Sequence, residues 1–327
     1  MKIINMRGRT AAVRRRIAAA IGLMLALALC LTGCRPLVEN TPEALSLYAT
    51  FYPIYALTDA VAHGVPDMEL HCLVQPQDGC LRNYQLSDWD LYLLAGGADA
   101  VVMGGRGLES FESALFSWGN RGPAVSAVLY NLELYNQMDA ANGEQESHLS
   151  GANPHLYMSL EGAAQIVDSI SATLISLDPD YGELYIQNAE SARNQLHALL
   201  TDQRNALAPI AGKSVILMNE ALVYTARDYG LETADWIDRE SGEGMGDREI
   251  EALLARLSGS DARVILIERQ APQAFVEALE RAGFAVARLD VMSTHREGEG
   301  FDRYLEIQRA NAQSILAAFD CADTLGG

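Results

Sequence analysis

Lysine is almost missing from this chain. Of 327 residues, only Lys2 and Lys213 carry an ε-ammonium. A catalytic lysine is thereby close to excluded, and Gly104-Gly-Arg-Gly107 lacks the Lys-Ser/Thr pair that a phosphate-binding loop requires. Positive charge is scarce in general. Six of the 24 Lys and Arg residues, and none of the 43 Asp and Glu residues, lie in the first 33 positions, so the remainder carries a balance of −25. Such a chain is a poor partner for nucleic acid or for an anionic lipid surface. No Gly-x-Ser-x-Gly elbow and no paired-cysteine metal motif occurs. The longest apolar run, Ile17 to Leu31, falls short of the roughly 20 residues of a membrane-spanning helix.

That run has another reading. Arg7, Arg9 and Arg14 to Arg16 precede it, and Leu31-Thr32-Gly33-Cys34 follows it, which is the tripartite pattern of a secretory signal. The small residues before Cys34 resemble a bacterial lipobox, which implies removal of residues 1–33 and lipidation of Cys34. The mature chain is then expected on the outer face of the cell membrane, held by acyl chains, with residues 34–44 as a tether. Beyond the anchor the cysteines are Cys72, Cys80 and Cys321. Cys72 and Cys80 are near enough in sequence for a short disulfide loop, or all three stay reduced.

The body alternates strand-like and helix-like runs. Strands are expected at Leu45 to Thr50, Met68 to Val74, Asp99 to Met103 and Ala124 to Leu129, and helices at Ile54 to Ala62 and Ser87 to Ala95. A second set follows at Ser214 to Met218, Ala234 to Ile237, Arg263 to Ile267 and Ala285 to Leu289. Its helices fall at Ala221 to Tyr229, Asp247 to Leu257, Pro272 to Ala282 and Phe301 to Phe319. Between the two sets, Ser159 to Leu177 and Pro179 to Leu207 carry apolar residues at helical spacing. The fold expected is α/β: an N-terminal lobe (45–178), a linking spine helix (179–208) and a C-terminal lobe (209–327), each lobe Rossmann-like with a parallel four-stranded sheet. A ligand belongs in the cleft between them, at the carboxyl ends of the strands.

Particular stretches carry a family resemblance. Tyr48-Ala-Thr-Phe-Tyr-Pro-Ile-Tyr55, Gly105-Arg-Gly-Leu-Glu109, Asn153-Pro-His-Leu-Tyr157, Tyr224 to Leu231, Glu268, Leu289-Asp290 and Tyr304 to Asn311 occur in an order that resembles the metal-binding receptors of bacterial zinc and manganese ABC transporters. The resemblance spans about residues 45 to 320. It implies a lipid-anchored, monomeric substrate-binding protein that takes Zn²⁺ or Mn²⁺ as cargo from outside the cell and hands it to a membrane permease. The family pocket draws one ligand from each of four loops. His155 and Asp290 match two of them, Arg82 stands where the first histidine belongs, and Asn219 stands at the third with Glu220 beside it.

The altered positions leave alternatives open. A protonated guanidinium has no lone pair for a metal. Arg82 is therefore expected either to pair with Asp290 or Glu220, or to grip an anionic solute. Cys80 offers a thiolate to a thiophilic metal, and Glu220 can replace the third ligand, so the expected metal set is His155, Glu220 and Asp290, with Arg82, Asn219 and Cys80 lining the pocket. His148 and the acidic stretch Asp139 to Glu146 read as a solvated loop, His295 with Glu297 and Glu299 as a surface turn, and His63, His71 and His197 as structural. Three classes fit: a transport receptor, a metal-dependent extracellular hydrolase with Glu220 as its base, or an adhesin that does not use the cleft. The receptor accounts for the anchor, the two lobes and the lack of a catalytic set.

Overall fold

The computed structural model describes residues 44–74, 84–118, 122–135, 152–237, 245–294 and 297–325, within one compact unit that begins at Ala44. The signal stretch, Cys34, the tether up to Glu43, Cys80, Arg82, His148 and His295 lie outside the described residues.

Two parallel sheets carry the architecture. Strands β1 (Leu45–Ala49), β2 (Met68–Cys72), β3 (Ala100–Met103) and β4 (Ala124–Ala127) stand in the order β2-β1-β3-β4. Strands β5 (Ser214–Leu217), β6 (Glu232–Trp236), β7 (Val264–Glu268) and β8 (Ala285–Leu289) repeat it as β6-β5-β7-β8. Ala-Val-Val-Met in β3 and Val-Ile-Leu-Ile-Glu in β7 are buried at every position. Strands covered on both faces read as continuous apolar runs, which is why these were plain in the sequence. β6 starts two residues earlier than expected, because Glu232, Thr233 and Asp235 give this edge strand a polar surface that hides it.

Helices fill the crossovers. α1 (Tyr52–Ala62) takes Pro53 in its first turn, where the missing N–H costs nothing. α2 (Asp88–Gly97) opens on a capping box in which Ser87 Oγ accepts from the Asp90 N–H at 3.2 Å and Asp90 Oδ2 accepts from the Ser87 N–H at 2.8 Å. α3 (Glu112–Ser117) was not expected; its six residues bury only Leu115 and leave no periodic signal. α4 (Leu160–Leu177) is capped by Ser159, whose Oγ accepts from the Gly162 N–H at 2.9 Å.

The spine is α5 (Gly182–Leu207), 26 residues and about 39 Å long. It starts later than the expected Pro179. Pro179–Tyr181 form a 3₁₀ turn instead, and Asp178 serves not as a cap but as acceptor for the Tyr185 hydroxyl at 2.8 Å. Tyr185, Ala189, Ala192, Leu196, Leu199, Leu200 and Leu207 line its buried face, against α4 and α1. Each large side chain there contributes about 1.5–3 kcal/mol.

In the second lobe, α6 (Val223–Asp228) follows a 3₁₀ turn at Glu220–Leu222, so the expected Ala221 to Tyr229 helix is two short pieces. α7 (Asp247–Leu257), α8 (Gln273–Arg281) and α9 (Phe301–Leu325) complete it. α9 packs on β8 and also reaches α1 and α5. The Tyr304 hydroxyl donates to the Tyr157 carbonyl at 2.6 Å, and Gln203 Nε2 donates to the Gln308 carbonyl at 2.9 Å, so this last helix binds the second lobe to the first and to the spine. Among the described residues, no helix is long and apolar enough to cross a membrane.

Candidate functional site

Sheet register decides what meets at the top of the second lobe. Leu217 pairs with Leu266 and Glu268 with Leu289, so just past the strand ends Asn219 comes opposite Glu268, and Arg269 opposite Asp290. Both pairs are in contact. Asn219 Nδ2 donates to Glu268 Oε1, while Asn219 Oδ1 caps the 3₁₀ turn by accepting from the Ala221 N–H at 3.2 Å. The Asn219 amide thus spends its oxygen on the backbone and its nitrogen on a carboxylate. It therefore reads as a scaffold group rather than a metal ligand.

Asp290 is held more tightly still. The Asn311 side chain of α9 clamps its backbone from both sides, accepting from its N–H at 2.8 Å and donating to its carbonyl at 2.9 Å. Asp290 Oδ1 accepts from the Met292 N–H at 2.7 Å across a turn in which Met292 adopts φ +66. Arg269 lies against Oδ2 at 3.0 Å; the carboxylate side chain is 2% exposed and the arginine 50%.

His155 comes from the first lobe, on the segment that enters α4. Pro154 and the following 3₁₀ turn (Leu156–Met158) fix its backbone, and fully buried Asn153 fixes its ring. Asn153 Nδ2 donates to the Glu220 carbonyl at 2.8 Å, so the amide oxygen is the atom 3.0 Å from His155 Nδ1. An amide oxygen only accepts, so Nδ1 of the neutral ring carries the hydrogen and Nε2 keeps the lone pair. The same oxygen takes the His155 N–H at 3.1 Å. Glu220 Oε1 stands 3.7 Å from His155 Nδ1, and both side chains are nearly buried. The structure thus brings His155 and Glu220 together across the two lobes. It does not gather them with Asp290 into a finished shell: among the described residues, no group of three or more His, Cys, Asp or Glu side chains is placed to hold a metal ion.

A seam of hydrogen bonds runs beside this pair. The Tyr224 hydroxyl donates to the Asn153 carbonyl at 2.7 Å and accepts from the Tyr135 N–H at 3.1 Å. Thr225 Oγ1 donates to the Met158 carbonyl at 3.0 Å. Asp228 accepts from Ser159 Oγ at 2.8 Å and from the Leu160 N–H at 2.7 Å; burial pushes its carboxyl up to about 6, against the opposing pull of those two donors. A strap crosses elsewhere. Glu297 Oε1 meets His71 Nδ1 at 3.0 Å, the Gly298 N–H donates to the Tyr55 hydroxyl at 3.0 Å, and the Phe301 N–H donates to Asp59 Oδ2 at 3.1 Å. The turn expected to be a plain surface feature therefore joins β2 and α1 to the second lobe.

Three other buried groups, Glu109 and Tyr52 of the quoted motifs and Cys72 of β2, lie apart from His155 and Asp290 in the sequence. Glu109 is fully buried and accepts from Thr50 Oγ1 at 2.7 Å and from the Gly104 and Gly105 N–H groups at 2.7 and 2.8 Å, tying β1 to the loop after β3. Burial raises its carboxyl above the ordinary carboxylate range. Burial, with Glu297 nearby, pushes the Cys72 thiol up to about 12, which makes it a poor thiolate donor. Burial likewise keeps the Tyr52 phenol protonated, with Glu299 adding to the effect. Of the groups that shape the site, Asn153 was within a quoted motif but not assigned a part, and Arg269 was not singled out; only the β7–β8 register reveals it.

Comparison with known proteins extends these observations. Residues 47–318 match the family model described as ZnuA, zinc-uptake complex component A, periplasmic. The high-affinity zinc uptake system protein ZnuA of Bacillus subtilis is 23% identical over 295 residues, covering 85% of this chain and 88% of its own length. The manganese-binding lipoprotein MntA of Halalkalibacterium halodurans is 22% identical over 225 residues, 67% of this chain and 71% of the relative. Among solved structures, the substrate-binding protein FpvC of Pseudomonas aeruginosa in complex with Mn²⁺ superposes with a TM-score of 0.70 at 23% identity, covering 84% of this chain and 98% of that one. A ZnuA crystal structure gives 0.67 at 21% identity, with 84% and 99% coverage. These likenesses show the two-lobed fold. With most of its length matched by one family model, the chain belongs to the ZnuA family of zinc-uptake complex component A proteins.

Proposed function

We propose that this protein is the extracytoplasmic substrate-binding lipoprotein of an ABC importer, anchored through Cys34, and that it captures a divalent metal ion, Zn²⁺ or Mn²⁺, as cargo between its lobes. The observation that carries the reading is His155: a buried imidazole whose Nδ1 is held by Asn153, with the Glu220 carboxylate from the other lobe 3.7 Å from that same nitrogen, so that Nε2 is the lone-pair nitrogen. An imidazole and carboxylates make a nitrogen and oxygen shell of the kind both metals accept. Asp290 supplies the second carboxylate, from the end of β8. The family's role in transport, and relatives named as zinc-binding or manganese-binding lipoproteins, support the same assignment. The lobes divide as 45–178 and 209–327 about the spine, and the partners are the metal ion and a membrane permease.

The test is thermal. A ligand that binds only the folded state at a hundredfold above its Kd adds about 2.7 kcal/mol. For the lipoprotein purified in detergent, Zn²⁺ or Mn²⁺ is expected to raise Tm by several degrees. His155→Ala and Asp290→Ala abolish the rise, and Asn153→Ala reduces metal affinity about 10- to 100-fold by releasing the ring. A second reading, a receptor for an anionic solute gripped by Arg82, is favoured by the Asn219 amide at the third ligand position being taken up by Glu268. Absence of any shift with either metal, in the presence of a shift with small carboxylates or phosphate, would replace the first reading by the second.

A further inference from the structure

We infer that Arg269 is a displaceable counter-ion, an affinity- and specificity-determining residue that holds the Asp290 carboxylate until a divalent cation takes its place. The inference rests on the metal reading above. Three observations carry it. The β7–β8 register places Arg269 opposite Asp290, and the guanidinium Nη1 lies 3.0 Å from Asp290 Oδ2. The two partners are unequally exposed and unequally held: Asp290 is 2% exposed, with its backbone clamped by Asn311 and Oδ1 fixed by the Met292 N–H, whereas the Arg269 side chain is 50% exposed. Finally, among the described residues the other bonds of Arg269 are made by its main chain: its N–H donates to the Leu289 carbonyl at 2.7 Å and its carbonyl accepts from Arg288 Nη2 at 2.6 Å. Its long side chain can therefore swing into water by rotamer change alone, with no backbone bond broken.

The exchange has a direction set by charge. A buried carboxylate needs a cation, and a guanidinium satisfies one unit of that demand. A monovalent ion offers Asp290 no more charge than Arg269 already provides, so replacement gains nothing. A divalent ion offers twice the charge in a smaller radius, so the exchange runs downhill. Arg269 thereby rejects monovalent cations and holds divalent affinity below what the same ligands would give if unopposed.

The test compares wild type, Arg269→Gln and Arg269→Lys as full-length lipoproteins, with calorimetric titration of Zn²⁺ and Mn²⁺ and melting of the metal-free protein. Removing the guanidinium takes a favourable charge from the buried Asp290 carboxylate, so metal-free Arg269→Gln is expected to melt lower than wild type. It is also expected to bind metal about tenfold tighter, equivalent to about 1.4 kcal/mol. Arg269→Lys keeps the charge but loses the planar grip, and is expected to tighten binding about threefold; it gives the same direction of change should Arg269→Gln prove insoluble. A purely structural arginine would lower the melting temperature of the loaded and metal-free forms alike and leave Kd unchanged or weaker. That result, with wild type binding metal, overturns this inference alone. Wild type and both variants all failing to bind either metal overturns the metal reading, and this inference with it.

Discussion

Asp228 offers the most quantitative test of the interlobe seam. Its carboxyl is pushed from the ordinary 3.8 up to about 6, chiefly by burial. At about 1.36 kcal/mol per decade, that separation makes the buried charge cost about 3 kcal/mol once it is fully ionised. The sign follows from the raised value: the contribution to stability is fully present below the ordinary 3.8, erodes as pH rises, and is gone above the folded-state value near 6. Asp228→Asn removes the charge without breaking the seam. The amide oxygen can accept from the Leu160 N–H while the amide nitrogen donates to Ser159 Oγ, a hydroxyl that accepts as readily as it gives. Stability measured by urea denaturation from about pH 7.5 to about pH 5 should therefore rise in wild type by about 1.4 kcal/mol relative to the Asn variant. Taking the difference between the two proteins cancels every other titrating group. Parallel pH profiles for the two would refute the claim that burial governs this carboxyl.

Two further outcomes are expected. Gly300→Ala places a Cβ 2.1 Å from Asp59 Oδ2, which drives the carboxylate off the Phe301 N–H at the start of α9; denaturation should show a loss of about 1–2 kcal/mol, and a gain would contradict the strap. Cys34→Ser should abolish lipid labelling and move the protein out of the membrane fraction, since Cys34 alone follows the small-residue cleavage motif; continued palmitate incorporation would dismiss the anchor.

The strands were legible because their chemistry is local. Val264 to Ile267 and Ala100 to Met103 are apolar throughout, and Ser87 with Asp90 announces the start of α2 within four residues. Elements whose signal is cooperative were not. The six-residue α3 buries a single leucine, and the split of Glu220 to Asp228 into a 3₁₀ turn and a helix depends on Asn219 capping Ala221. The site divides in the same manner. His155, Glu220 and Asp290 carry recognisable side chains in recognisable places. Asn219 stood out as a pocket residue, but its engagement by Glu268 is a product of strand register, as is the pairing of Arg269 with Asp290. No spacing along one strand can report which residue waits on the next.

The seam has a mechanical consequence. Asn153, Tyr224, Thr225 and Asp228 bolt the entrance of α4 to α6, while Tyr304 and Gln203 fasten α9 to the first lobe and the spine. A body bolted along that line resists opening like a hinged jaw, since each degree of swing would have to shear several buried hydrogen bonds at once. Cargo that enters without swinging the lobes then changes the rim instead, where the Arg269 side chain stands half exposed. Any neighbour that has to tell a full receptor from an empty one is left to read texture rather than posture.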